Sequence, residues 1–382
     1  MPTFYEFFAG GGMARAGLGP DWSCLFANDF DHKKANSYTD NWGEDDLWVG
    51  DVAKVCLDQL PGLADLAWAS FPCQDLSLAG SGAGLQGERS GTFWPFWKHI
   101  TELNREGRGP TTVVLENVYG AITSHGGRDF SALVTALVEG GYRCGAVVVN
   151  AVHFVPQSRP RLFVIGVRDD VCIPEQQYSE TPSDIWHPGA LRKAQGALPD
   201  YVRKQWIWWN LPEPGLRNSD LTDIVEDEPA GVKWHTTAET KRLLGMMSDT
   251  NAAKVKAAKI SGRRVVGTIY KRTRADGPGG ARVQRAEVRF DDVAGCLRTP
   301  SGGSSRQTII VVEGKKVKTR LLSPREAARL MGLSDDYVLP AKYNDAYHLA
   351  GDGVAVPVVR FLAKSILEPI VQPGRKHTNR AA

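Results

Sequence analysis

The chain predicts an α/β protein, a doubly wound and mostly parallel sheet followed by a smaller, irregular, β-rich domain. Three observations lead there. Apolar runs that end in a polar or ionisable residue recur in the first 170 residues, as in TFYEFF, WSCLFAND, LADLAWASF, TTVVLENV and RLFVIGVR. Such runs read as buried strands whose chemistry collects at their carboxyl edges. A glycine turn at Gly10 to Gly12 carries the first of them into a helix start rich in small residues, a geometry that lets a ligand approach the backbone. Basic charge gathers in the middle: residues 180–320 hold 25 Lys and Arg against 16 Asp and Glu, a net of +9, and the remainder sums to −6.

Length and composition bound the rest. With 382 residues the chain has room for two domains. Its 42% hydrophobic and 23% charged residues are those of a globular protein. No apolar run reaches membrane-spanning length and the start, MPTFYEFFAGGG, lacks the basic region and cleavage site of a signal peptide, so a cytoplasmic protein without a membrane partner is expected. The six cysteines are scattered, with no C-x-x-C pair and no histidine at ligand spacing. Reduced thiols and no metal are expected.

In chain order, the first strand ends at Phe8 and turns through Gly10 and Gly12. The second ends at Asn28-Asp29, about twenty residues on, where an acid can accept hydrogen bonds from ribose hydroxyls. Turn and acid together point to a nucleoside cofactor. Asp51, after LWVG, is a third candidate, for an adenine amino group, although each aspartate also fits a helix cap. The fourth strand stops at Pro72 and delivers Cys73 into a run with Gly80, Gly82, Gly84, Gly87 and Gly91, which reads as a mobile loop beside a site. Cys73 alone fits a small buried hydrophobe as well as a nucleophile.

The fifth strand carries Glu116 and Asn117. Three aliphatic residues before a carboxylate imply partial burial, which raises a carboxyl pKa and suits proton transfer, while an arginine-paired structural role is the alternative. In PQSRPRLFVIGVR, Arg159 and Arg161 alternate along an extended chain and are expected on one side of the sheet, offering planar donors to a carbonyl, carboxylate or phosphate. Lys254 to Arg289 holds eleven basic and two acidic residues among glycines and β-branched residues, so a polyanion, most simply nucleic acid, is the expected partner. Residues 175–250 are rich in Trp and Pro and read as irregular structure packed on the first domain. RRVVGTIYKRT, AEVRF and QTIIVVE read as short strands. Arg272, Arg274 and Thr299 are candidate contacts, Thr299 sitting in a loop whose small residues explain it equally well. Ser323-Pro324-Arg325-Glu326 has the form of a helix start.

FAGGGMARAGL, FPCQDLSLAG, ENV and QSRPRLFVIG, in that order, followed by RLLSPREAARLMGLSDDYVLP and YHLAGDGVAVPVVRFLAKSI, resemble the motif series of the DNA (cytosine-5)-methyltransferases. The likeness covers residues 3–168 and 320–366, with the basic region where that family keeps its target-recognition domain. It implies a Rossmann-like, S-adenosylmethionine-dependent sheet. By the resemblance, Cys73 attacks C6 of an extruded cytosine, Glu116 serves its N3 edge, and Arg159 and Arg161 steady the O2 carbonyl and Glu116. Phe8 and Phe30 resemble the adenine-facing aromatics, Asp29 the ribose acid and Asp51 the adenine acceptor, with Gly10, Gly12, Pro72, Asp352 and Val354 around the cofactor. Gln86, Arg89 and Ser90 in the glycine-rich loop are candidates for filling the gap left in the base stack.

The expected divisions are 1–172 for the first part of the catalytic domain, 173–318 for target recognition, 319–368 for a helical return, and 369–382 for a disordered basic tail. A monomer acting on duplex DNA is expected, with a cognate restriction endonuclease as a further partner. One position departs from the family pattern: Gly351-Asp352-Gly353-Val354 stands where Gly-Asn, a small residue and Val are usual, placing a carboxylate near the cofactor's own. The rivals are a tRNA cytosine methyltransferase with the same Cys and Glu, a catalytically silent DNA-binding module, and a nicotinamide dehydrogenase, which leaves PCQ, ENV and QxRxR unexplained.

Overall fold

The computed structural model describes residues 1–72, 92–217, 219–275, 280–298 and 306–372, which form two compact units. The first comprises Met1–Val149, Pro160–Pro214 and the chain from Val354 onward; the second comprises Asn150–Arg159 and Gly215–Gly353.

The first unit is built on strands β1 (Thr3–Phe7), β2 (Ser23–Asp29), β3 (Leu47–Val49), β4 (Leu66–Ala69), β5 (Thr112–Val118), β6 (Tyr142–Asn150) and β7 (Pro160–Arg168). Their order is β3-β2-β1-β4-β5-β7-β6. β1 pairs in parallel with β2 and β4, and β4 with β5, whereas β7 runs antiparallel to β5. Chain order reverses between β1 and β4, so their adjacent carboxyl ends form the crevice where open α/β sheets bind ligands. β4 is buried at every residue, as a strand covered on both faces must be.

The helices are amphipathic for the same reason. These are α1 (Met13–Leu18), α2 (His32–Trp42), α3 (Phe93–Arg105) and α4 (Arg128–Glu139). In α3, Phe93, Phe96, Trp97, Ile100 and Leu103 recur at helical spacing, and in α4 Phe130, Leu133, Val134 and Leu137 do the same. Both stripes enter a core with Tyr5, Phe7, Phe26 and Val113. A two-stranded ribbon, β8 (Tyr178–Ser179) with β9 (Trp208–Trp209), follows. The helix Val356–Leu362 returns to α1, where Arg360 Nη1 donates to Leu18 O at 2.8 Å.

The second unit is a four-stranded antiparallel sheet of β10 (Arg264–Ala275), β11 (Arg282–Arg289), β12 (Thr308–Glu313) and β13 (Lys316–Leu321), in the order β11-β10-β12-β13. Ile269, Ala286, Val288, Ile310 and Val312 share a core with Leu243, Val255 and Ala258 of the helices Thr237–Leu244 and Asp249–Ile260. The expected short strands therefore form, and β13 adds one that sequence patterning did not single out.

The units divide the chain differently from the expected boundaries. Residues 173–214 belong to the first unit, and 150–159 and 319–353 to the second. Side chains explain the second case: Arg320 is fully buried against Glu326 at 2.6 Å, joining β13 to the helix Pro324–Leu330. The chain after 368 is not tail at once, because a helix spans Glu368–Val371.

Candidate active site

The glycine turn lies at the end of β1, where Phe7 pairs with Ala69 of β4. Phe8, Gly10 and Gly12 all have positive φ, at 58°, 57° and 75°. That conformation is costly for Phe8 and natural for glycine. A Cβ on Gly12 would lie 2.3 Å from Trp42 Nε1, whereas above Gly10 nothing lies within 4 Å. Gly10 N donates to Asp29 Oδ2 and Asp31 N to Asp29 Oδ1, both at 2.8 Å. Burial raises the Asp29 carboxyl above its ordinary range, against the lowering by Lys34 and these two amides. Each oxygen keeps a second lone pair. Phe30, next in the chain, is 75% exposed. An open glycine, an oriented carboxylate and an uncovered aromatic fit an adenosine-bearing cofactor. Asp51 Oδ1 accepts from Ala53 N at 3.0 Å, so it does cap a short helix. Pro72 and Phe8 are half-buried and Val354 is buried.

Beside this crevice stands a buried ion pair. Val118 of β5 is in register with Arg161 of β7, and Glu116 points to the same face as Val118 because side chains alternate along a strand. Arg161 Nε therefore meets Glu116 Oε1 at 3.1 Å, with the side chains 15% and 8% exposed. Asn117, on the opposite face, donates through Nδ2 to Phe71 O at 3.2 Å and so ties β5 to the segment entering Pro72.

Arg159 behaves differently. β7 begins at Pro160, so Arg159 precedes the strand and the alternation expected of the two arginines does not reach it. Its guanidinium is 1% exposed. Nη1 donates to Leu297 O at 3.0 Å and approaches Cys296 Sγ at 3.4 Å; Nη2 donates to Gly351 O at 2.9 Å and Gly353 O at 2.7 Å. These four acceptors match the four hydrogens of the two terminal nitrogens.

The family model for C-5 cytosine-specific DNA methylases matches residues 2–368. The chain belongs to that family. The methylase is 27% identical to the type II methyltransferase M.HpaII of Haemophilus parainfluenzae, over 96% of this chain and 90% of that one. It is 25% identical to M.HhaI of Haemophilus parahaemolyticus, over 95% and 93%. Among solved structures, the S. pombe Dnmt2 methyltransferase matches with a TM-score of 0.57 at 16% identity, covering 97% of this chain and 99% of that one. The Entamoeba histolytica methyltransferase EhMeth gives 0.61 at 14% identity, covering 96% and 98%. At such identities the likeness is one of fold. The family's activity is S-adenosylmethionine-dependent methylation of cytosine in DNA, and the methylase is a DNA (cytosine-5)-methyltransferase.

Cys73, Gln86, Arg89, Ser90 and Thr299 lie outside the described residues of the methylase. Of the cysteines that are described, Cys24 and Cys144 are buried, and burial pushes both thiols up to about 12, far from a thiolate at neutral pH. Arg272 is exposed, with its guanidinium 4.6 Å from the centre of the Tyr270 ring and Nε 3.8 Å from Glu287. Of Arg274 only the backbone is described, opposite Val283. Asp352 is exposed at the end of the helix Tyr343–Asp352. Two buried polar residues escaped the sequence reading. Asn117 was visible beside Glu116, but its clamp on Phe71 is not. Glu6, a carboxylate inside TFYEFF, is 1% exposed, and its signal was a charge in an otherwise apolar strand.

Among the described residues no cluster of His, Cys, Asp and Glu suits a metal ion, and no helix is long and apolar enough to cross a membrane.

Proposed function

We propose that the methylase modifies C5 of a cytosine turned out of duplex DNA at a specific sequence, through a covalent bond between Cys73 and C6. The observation that carries this reading is the buried Glu116–Arg161 pair, set at the sheet edge from which the chain runs on to Cys73. The thiolate of Cys73 adds to C6, and the electrons of the C5–C6 bond move to C5. Glu116 donates a proton at N3, so that negative charge does not build up on the ring, and Arg161 orients that carboxyl and faces the O2 side. Phe8, Gly10, Asp29, Phe30 and Asp51 would hold S-adenosylmethionine, which would supply the methyl group for C5. Loss of the C5 proton to a base then restores the C5–C6 double bond and expels the Cys73 thiolate, while the N3 proton returns to Glu116.

Duplex DNA as substrate is supported by the family and by the basic sheet. Arg272 and Arg285 are directly opposite each other across β10 and β11, which puts two guanidinium groups on one face of the sheet. The names of the relatives, type II methyltransferases, support a restriction-modification setting with a cognate endonuclease. The test is labelled S-adenosylmethionine with either duplex DNA or tRNA, for the wild type and Cys73→Ala. Label in DNA that Cys73→Ala abolishes is expected. Label on tRNA alone, or undiminished label with the variant, overturns the reading.

A further inference from the structure

We propose that His99 is a positioning residue for the cofactor, fixing the turn that presents Asp51. It is a polar exception on its helix. The buried face of α3 otherwise consists of Phe93, Phe96, Trp97, Ile100 and Leu103, and an apolar side chain at 99 would continue that face. Instead the buried ring brings Nε2 to 2.8 Å from Val52 O. A carbonyl only accepts, so Nε2 carries the hydrogen and Nδ1 is left as a lone pair. Nδ1 is buried with no hydrogen-bond partner among the described residues, a cost that an apolar residue would avoid. What the histidine contributes here is its one bond to Val52.

That bond falls on the residue just after Asp51. Just before it, Gly50 N donates to Asp29 O at 2.9 Å, and Nδ2 of the buried Asn28 donates to Trp48 O at 3.1 Å and Gly50 O at 3.0 Å, so β2 fixes the chain as far as Gly50. In the short helix that follows, Val52–Lys54, the Val52 side chain packs in the core that α3 enters, and His99 donates to its backbone. Asp51 is thus set between an anchor on β2 and an anchor on α3. Its Oδ1 accepts from Ala53 N at 3.0 Å, while Oδ2 has no partner among the described residues and is left to receive an amino group. Without His99, Val52 O keeps the hydrogen bond from Val55 N at 3.2 Å. The fold should therefore tolerate the loss, while the turn gains freedom to move Asp51.

The proposal rests on Asp51 contacting the cofactor, as in the function proposed above. S-adenosylmethionine affinity, the melting midpoint, and kcat and KM for methylation are measured for the wild type, His99→Leu, His99→Gln, Asp51→Ala and the double variant of His99→Leu with Asp51→Ala. His99→Leu is expected to weaken S-adenosylmethionine roughly five- to tenfold, the order of one hydrogen bond, with kcat at saturating cofactor unchanged and a midpoint close to that of the wild type. His99→Gln, whose amide N–H has a similar reach, should restore most of the affinity. In the Asp51→Ala background His99→Leu should add little, because its effect passes through Asp51. If His99→Leu does not fold, His99→Asn, whose amide is too short to reach Val52 O, takes its place. An equal loss of affinity in both backgrounds overturns the proposal. So does a lowered midpoint at unchanged affinity, which makes His99 structural only. An Asp51→Ala enzyme that binds S-adenosylmethionine as the wild type does removes Asp51 from the proposed function and this proposal with it; a weakened Asp51→Ala beside an unaffected His99→Leu removes this proposal alone.

Discussion

Glu6 sits in the middle of β1 with 1% of its surface exposed, and burial pushes its carboxyl up to about 8 against the lowering by Arg15 and the backbone N–H groups of Arg15 and Ala14. The folded protein thus holds a proton that the unfolded chain releases in the ordinary carboxylate range. Between those two values the native state binds more protons, so stability falls as pH rises toward 8, at up to about 1.4 kcal/mol per unit. Melting midpoints between pH 5 and 8.5 should decline for the wild type and lose that part of their slope in Glu6→Gln; parallel slopes would refute the assignment. Glu116 is open to a separate test. Glu116→Gln keeps the shape but cannot transfer the proton, so methylation should drop by roughly 10² to 10⁴ while S-adenosylmethionine binding is retained. At this scale the sequence was informative where a residue follows from its strand and silent where it depends on a strand's end. Glu116 closes an aliphatic run and is found at the sheet edge. The pairing of Arg159 with Arg161 assumed one strand through both, and β7 begins between them.

Local elements were the most legible, because their causes lie within a few residues. Ser323, Pro324 and Glu326 were read as a helix start, and Ser323 Oγ accepts from Glu326 N at 3.1 Å while Glu326 Oε2 accepts from Ser323 N at 2.7 Å. The sequence could not show that Glu326 has a second task. It also receives both terminal nitrogens of Arg320, and both side chains are 0% exposed. Ser323→Ala loses only a cap and should lower unfolding free energy by about 1 kcal/mol. Glu326→Ala leaves a buried guanidinium without its carboxylate and should lower it by about 3–5 kcal/mol. Denaturant titration separates the two, and similar losses would show that the ion pair adds nothing to the cap. β13 was missed because KVKTRL alternates but contains only two apolar residues, Val317 and Leu321; its pairing with β12 supplies what the local pattern lacks.

At the scale of the molecule, motif order located the sheet but not the limits of the units, since a compact unit is defined by long-range packing. The chain enters the second unit at Asn150, leaves after Arg159, and enters again at Gly215. The short visit is held by Gln157 and Arg159, whose partners are about 140 to 190 residues away in sequence, a distance no window of sequence reveals. Charge was legible at this scale because it needs no contacts: the net of +9 over residues 180–320 falls largely on the second unit and its sheet. If that sheet meets DNA through phosphates, affinity must fall steeply with salt as counterions are released. Arg272, exposed and opposite Arg285, is the place to test it. Arg272→Gln should weaken binding to target and non-target duplexes by the same factor and reduce the slope of log affinity against log salt by about one. A loss confined to the target sequence, with the slope unchanged, would instead make Arg272 a base reader.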